Sequence, residues 1–269
     1  MNYESLINSA AAFLQTSAEN YVSADEALRP DLAGMQIYDA PIFAVASAED
    51  PLFLQLRKPE VMGEGAFLPS DWLKNAKSVI SFFLPFTDAV KNSNRAAPVK
   101  ASDEWLHARI EGQIAVDALG KYICSLLENE GFDAIYPSCD PRLSPIAPLV
   151  LNWSERHVAY ISGLGTFGLC DGLISHRGKA ARYGSCIVNL PLDATPRPYT
   201  RFNEYCLAEK GCTACIDRCP AGAITKEGGH DKVKCQAYHK EFIAPICHDR
   251  YGHEGRAVCG LCQTGVPCE

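Results

Sequence analysis

The sequence predicts a mixed α/β (α+β) core followed by a small cysteine-rich module, and three observations carry that prediction. Helix-like and strand-like segments alternate up to about residue 190, the pattern expected of an α/β or α+β arrangement. The stretch 191–198 then holds three prolines and no apolar periodicity, a natural hinge. Of the 13 cysteines, 4 fall in the first 200 positions and 9 in the last 69. A core over 1–200 and a second unit over 201–269 are therefore expected.

Each element has its own signal. Segment 4–18 carries Leu6, Ile7, Ala10, Ala11, Phe13 and Leu14 near helical spacing, and 42–46 is a short β-prone run. A short helix begins at Ser70 and Asp71 and ends near Ala76; 78–84 reads as a buried strand that Pro85 terminates. The longest helical pattern is 103–130, with a broad apolar face and Gly131 just past its end. A strand over 133–136 leads into a proline-interrupted loop. Asn152 and Glu155 resemble a capping box that starts a helix through Tyr160. A glycine-rich block follows, and 185–190 reads as a further strand.

Composition narrows the class. With 47% hydrophobic and 21% charged residues, the chain is globular rather than disordered or coiled coil. Cysteine at 13 of 269 is odd in number and well below the roughly 8–10% of a disulfide scaffold. The start of the chain lacks a basic region, an apolar region and a cleavage site, and no run approaches the roughly 18 apolar residues of a membrane span. A cytoplasmic protein with reduced or metal-bound thiols is expected, without a membrane partner. The net charge of −7 disfavours affinity built chiefly on neutralising phosphates.

The chemistry is concentrated in Cys206-x5-Cys212-x2-Cys215-x3-Cys219-Pro220 and in Cys235, Cys247, Cys259, Cys262 and Cys268. The first group ends as the bacterial ferredoxin run does, where three thiolates hold one [4Fe–4S] cluster and the cysteine before proline ligates the other; it departs in the five-residue gap before Cys212. A tail this poor in large apolar residues needs a metal to fold. Eight thiolates serve two clusters, and the tail has nine cysteines. The crossover assigns Cys206, Cys212, Cys215 and Cys268 to one cluster and Cys219, Cys235, Cys259 and Cys262 to the other, leaving Cys247 spare. Structural Zn(Cys)4 sites are the competing reading. Cys124, Cys139, Cys170 and Cys186 lack partners at ligand spacing and read as core residues, Cys139 and Cys170 less plainly.

Clusters carry electrons but do no substrate chemistry alone, so a core of about 200 residues suggests a bound cofactor. The glycines of Gly163, Leu164, Gly165, Thr166, Phe167 and Gly168 would let the backbone approach a flat ligand; alternatively Gly163 caps a helix and the rest form a tight turn. Asp140, Glu155 and His157 are the proton-donor candidates nearest the block, against simpler roles as turn former, capping residue and surface residue. His176, Arg177, Lys179, Arg182, Arg197 and Arg201 form a basic stretch suited to a phosphate-bearing ligand or to a solvated face.

The block at 163–168, then Gly172, Leu173 and Ile174, then 183–192, followed by the two-cluster cysteine pattern, resembles the epoxyqueuosine reductases and their relatives the corrinoid-dependent reductive dehalogenases, over about 70–268. The resemblance implies a nitroreductase-like core that binds cobalamin, with flavin as a variant, fused to a ferredoxin-like module fed by a low-potential electron donor. It also implies that Cys235 supports the second cluster. Three departures accompany it. The family's catalytic aspartate falls, by spacing, on Leu149; Leu169, Cys170 and Asp171 stand where a Lys-Asn pair is usual; and the sequence stops at Glu269, without the helical-repeat domain of many tRNA-acting members. A small-molecule substrate is expected ahead of tRNA. The alternative is an electron-transfer partner without substrate chemistry of its own; a pocket bordered by Gly163 to Gly168 close to one cluster would oppose it, and a core packed solid there would favour it.

Overall fold

The computed structural model describes residues 2–251 and 258–269. Its centre is a four-stranded sheet in the order β1 (Ile42–Ser47), β2 (Ser78–Pro85), β8 (Ala181–Val188), β3 (Ala134–Ile135), antiparallel throughout. The expected strands are all present, and the third extends four residues earlier than its apolar run because Ala181 to Gly184 pair with Pro85 to Phe82. All eight β2 positions are buried, as an inner strand covered on both faces requires. Alternate side chains serve opposite faces: Ile80, Phe82 and Leu84 join Cys186 and Val188 under the helices α1 (Tyr3–Thr16) and α5 (Asp103–Asn129), whereas Val79 and Ile187 pack with Trp72, Trp153 and Val158 on the other side.

Helix α5 starts where Ser102 Oγ accepts the Trp105 N–H, and ends at Glu130 with Gly131 at φ 85°. Between β1 and β2 lie α2 (Pro51–Gln55) and α3 (Pro69–Trp72); α4 (Asp88–Ala96) precedes α5. α3 stops four residues short of Ala76 because Leu73 leaves helical geometry. A hairpin of β4 (Pro145–Ala147) and β5 (Val150–Leu151) leads into α6 (Glu155–Ile161), then the pair β6 (Thr166–Phe167) and β7 (Leu173–Ile174).

The expected capping box is absent: α6 is capped at Ser154, and Asn152 is committed to the hairpin, accepting from Ser144 N–H at 3.1 Å and donating to Arg142 O at 2.9 Å. The remaining chain carries α7 (Ala214–Asp217), the pair β9 (Ile224–Thr225) and β10 (Gly229–His230), α8 (Lys232–Tyr238), a π-helical turn His239–Ile243 and α9 (Ala244–Tyr251). This segment docks on α4 and α5. Arg218 donates to the carbonyls of Asn94 and Ala97, Trp105 Nε1 to Val258 O at 2.9 Å, and Asn94 Nδ2 to Cys259 O. Among the described residues no helix is long and apolar enough to cross a membrane.

Candidate redox site

The cysteine-rich segment places its thiols in two groups. Cys206, Cys212, Cys215 and Cys268 line one small cavity with Lys179. Local turns aim them: Cys206 N–H closes onto Asn203 O, Cys212 N–H onto Leu207 O, and α7 presents Cys215. At the end of α7 the chain turns, and Cys219 Sγ accepts the Ala223 N–H at 3.3 Å. Cys219 lies near enough to Cys235 and Cys259 to act on both electrostatically.

Cys235 on α8, Cys259 and Cys262 border a second, larger cavity. Gly260 makes the turn between the last two possible: it sits at φ 62°, and a Cβ there would lie 1.9 Å from Trp105 Cζ2. Cys247 joins neither group; it is fully buried against Leu106, Ile243 and Leu261.

Burial, then the neighbouring thiols, push Cys235 up to about 12, and burial also raises Cys259 and Cys268. Among the described residues no three His, Cys, Asp or Glu side chains converge at single-ion distance; the thiols ring volumes. Thiols gathered about each cavity are soft donors of the kind that hold a polynuclear thiolate cluster.

The larger cavity has a volume of about 410 Å³ and separates the thiols from the core. Its core-side wall includes Arg109, Glu155, Arg156, Arg182 and Tyr183, with Gly172 and Cys170 beside the cysteines. Ser138 Oγ donates to Glu155 Oε1 at 2.8 Å, while Oε2 is buried and has no hydrogen-bond partner among the described residues. Burial, only partly opposed by hydrogen bonds, raises Glu155 to about 7, the range of a working general acid near neutrality. His239 Nε2 approaches Cys235 Sγ at 3.7 Å, and burial lowers the imidazole to about 4.

The other two proton-donor candidates lie elsewhere. Asp140 is gripped by Arg142 through two contacts of 2.8 and 2.9 Å, which hold its carboxyl below the ordinary range, and it does not line the cavity. His157 lies on the far side of α6, facing a second cavity of about 470 Å³ with Tyr160, Phe167, Gly168 and Phe202. Burial and then Arg156 lower it to about 4.

The glycine block serves the chain's own backbone. Leu164 N–H closes α6 onto Ala159 O, and a Cβ at Gly165 would sit 2.1 Å from Ile174 O. Thr166 Oγ1 accepts the Tyr205 N–H, and Phe167 N–H donates to Phe202 O, so the block anchors the linker into the cysteine segment. Of its six residues, Phe167 and Gly168 reach the 470 Å³ cavity and none lines the thiol-bordered one. Leu149, where family spacing put an acid, is at φ 63° in the β4–β5 turn, 47% exposed.

Two residues escaped sequence reasoning. Cys170 has partners after all, and Lys179, assigned to a basic surface stretch, is buried with its Nζ 3.3 Å from Cys170 Sγ. The only sequence signal was that small residues, Gly178, Ala180 and Ala181, flank Lys179 directly. The rest of that stretch includes ion pairs with 31–58% exposed arginines: Arg177 with Asp39, Arg197 with Asp50 and Arg201 with Glu209.

No family model matches the chain. Among curated proteins it is similar to the epoxyqueuosine reductase of Bacillus cereus, 32% identical over 118 residues that make up 42% of this chain and 29% of the relative. That of Gloeobacter violaceus is 33% identical over 119 residues, 42% of this chain and 35% of the relative. The matches thus span about a third of these relatives. In fold the chain is similar to the epoxyqueuosine reductase of Streptococcus thermophilus, with TM-score 0.54 and 17% identity over 99% of this chain and 66% of that one. An epoxyqueuosine reductase bound to a modified tRNA-Tyr stem loop gives 0.53 at 18% identity, covering 98% and 64%. A catabolic reductive dehalogenase bound to 3-bromo-4-hydroxybenzoic acid gives 0.52 at 13%, covering 96% and 35%. The mixed α/β fold is that of these proteins, and both groups named from the motifs recur.

Proposed function

We propose that the chain is a cytoplasmic iron–sulfur oxidoreductase of the epoxyqueuosine reductase and reductive dehalogenase kind. Residues 1–200 form a nitroreductase-like core and 201–269 a ferredoxin-like module. One [4Fe–4S] cluster is held by Cys206, Cys212, Cys215 and Cys268, and the other by Cys219, Cys235, Cys259 and Cys262, both fed by a low-potential donor. The observation that carries this reading is the 410 Å³ cavity with thiols on one wall and Glu155 on the other. Electrons and a proton can reach one place from opposite sides.

A corrinoid seated there would supply a strongly reducing metal centre. The chain's part is to supply the reaction's acid and to close the site. Glu155, kept protonated by burial to about pH 7, is the proton source on the cavity wall; Arg109, Arg156 and Arg182 on the same wall carry hydrogen-bond donors suited to ligand oxygens. Because the glycine block does not border this cavity, a carrier without substrate chemistry of its own stands as the alternative.

Anaerobic purification and an absorption spectrum with metal analysis test the proposal. About eight iron with matching sulfide and a corrin spectrum are expected; a flavin spectrum would replace the corrinoid, and zinc without iron would sink the reading. Reduction of epoxyqueuosine in tRNA is the second reading, favoured by the 32% identity to a protein of that name. The reconstituted protein, incubated anaerobically with an epoxyqueuosine-bearing stem loop, would remove one oxygen by mass. No change there, with turnover of a small substrate, leaves the first reading standing.

A further inference from the structure

Cys170 and Lys179 form a buried pair in the wall between the two thiol groups. Lys179 is 1% exposed and Cys170 4%, and Lys179 Nζ donates to Cys170 Sγ at 3.3 Å. Lys179 lines the cavity ringed by Cys206, Cys212, Cys215 and Cys268, whereas Cys170 lines the cavity bordered by Cys235, Cys259 and Cys262. The Lys179 side chain shares the wall of the first cavity with Cys215 and Cys268. Cys170 packs in one cluster with Cys215 of one group and Cys262 of the other, its Sγ 3.8 Å from Cys262 O. Gly172 keeps the space open: a Cβ there would lie 3.4 Å from Cys170 Sγ and 3.5 Å from Lys179 Cδ.

A buried ammonium is costly unless it is paired, and among the described residues the partners found for this one are sulfurs. Its counter-charge must be the thiolates and what they hold. A thiolate-bound [4Fe–4S] cluster is anionic and gains a further negative charge on reduction, and net charge and hydrogen bonding to sulfur set its potential. In a water-poor interior that attraction is weakly screened.

We propose that Lys179 is a fixed cation shared by the two clusters, raising the reduction potentials of both, and that Cys170 is the positioning residue that holds it rather than a ninth ligand. The inference rests on the two-cluster reading above. It goes beyond it by assigning work to two residues that ligate nothing.

The test is an EPR-monitored redox titration of the full-length, anaerobically loaded protein. In Lys179→Met both midpoint potentials should fall, each by at least about tenfold in its reduction equilibrium, or about 59 mV for a one-electron couple, with iron content unchanged. Lys179→Arg should restore most of the shift. Unmoved potentials at full iron content, or movement of one cluster alone, would overturn the proposal. If Lys179→Met does not load, Cys170→Ala decides: full iron with a smaller downward shift supports the positioning role, unmoved potentials overturn it, and loss of about half the iron makes Cys170 a ligand and overturns it too. A wild-type protein without two clusters would remove the underlying reading as well, and is distinguished by its iron count alone.

Discussion

Asp140 and Glu155 carry the same functional group and end in opposite electrostatic states. Arg142 keeps Asp140 ionised, while burial keeps Glu155 protonated to about 7. Because the raised value belongs to the folded state, the native protein binds a proton there that the unfolded chain releases near 4.5. That contribution is fully present below about 4.5 and is lost as pH rises through about 7. The urea midpoint of the wild type should therefore fall over this window more than that of Glu155→Gln, and carboxyl NMR should show one resonance titrating near 7. A residue titrating at an ordinary value would remove Glu155 as the acid. Cys247 behaves as a core atom: Cys247→Ser should retain all the iron but lose about 1–3 kcal/mol by placing a hydroxyl among Leu106, Ile243 and Leu261. Cys212→Ser or Cys259→Ser should lose about half the iron. Metal analysis and thermal melts separate these cases.

At the scale of elements, α5 couples the core to the cysteine segment. Trp105 is fully buried, packs edge-on against Phe86 at 4.9 Å, hydrogen-bonds Val258 O and lies directly beneath Gly260. Trp105→Ala should cost about 3–5 kcal/mol and release the turn carrying Cys259 and Cys262, seen as faster iron loss to a chelator. Trp105→Phe should cost about 0.5–1.5 kcal/mol, mainly the lost hydrogen bond. The pair β6–β7 is as constrained: Gly165→Ala would drive a methyl into Ile174 O and loosen the linker anchored on Thr166 and Phe167. Gly163 to Gly168 marked a special backbone in the sequence; what that backbone approaches is another strand.

Across the whole molecule, the sheet core and the cysteine segment have different sources of stability. The core is filled from both faces of β2 and β8 by large apolar side chains, whereas the clusters of buried residues around 201–269 are smaller and mix cysteines with a few apolar side chains such as Tyr238, Ile243 and Leu261. Iron removal under reducing conditions should abolish hydrogen-exchange protection in 201–269 while β2 and β8 stay protected. Uniform loss across the chain would mean that the two regions fold as one unit.

What the sequence determined by itself was the elements with a long, repeated local signal. The long helix and the buried strands follow from apolar periodicity, and the crowding of cysteines into the last 69 residues is plain from the sequence. Tertiary structure decided the rest, because it depends on residues distant in the chain. The seating of α6 turned Glu155 toward the thiols and His157 away. Docking of the cysteine segment on α4 and α5, with the loop between β6 and β8 laid against it, made the cavity and gave Cys170 and Lys179 their partners. Neither residue has a neighbour at informative spacing, since the groups they touch lie up to about 90 positions away and meet them only when two separate surfaces close.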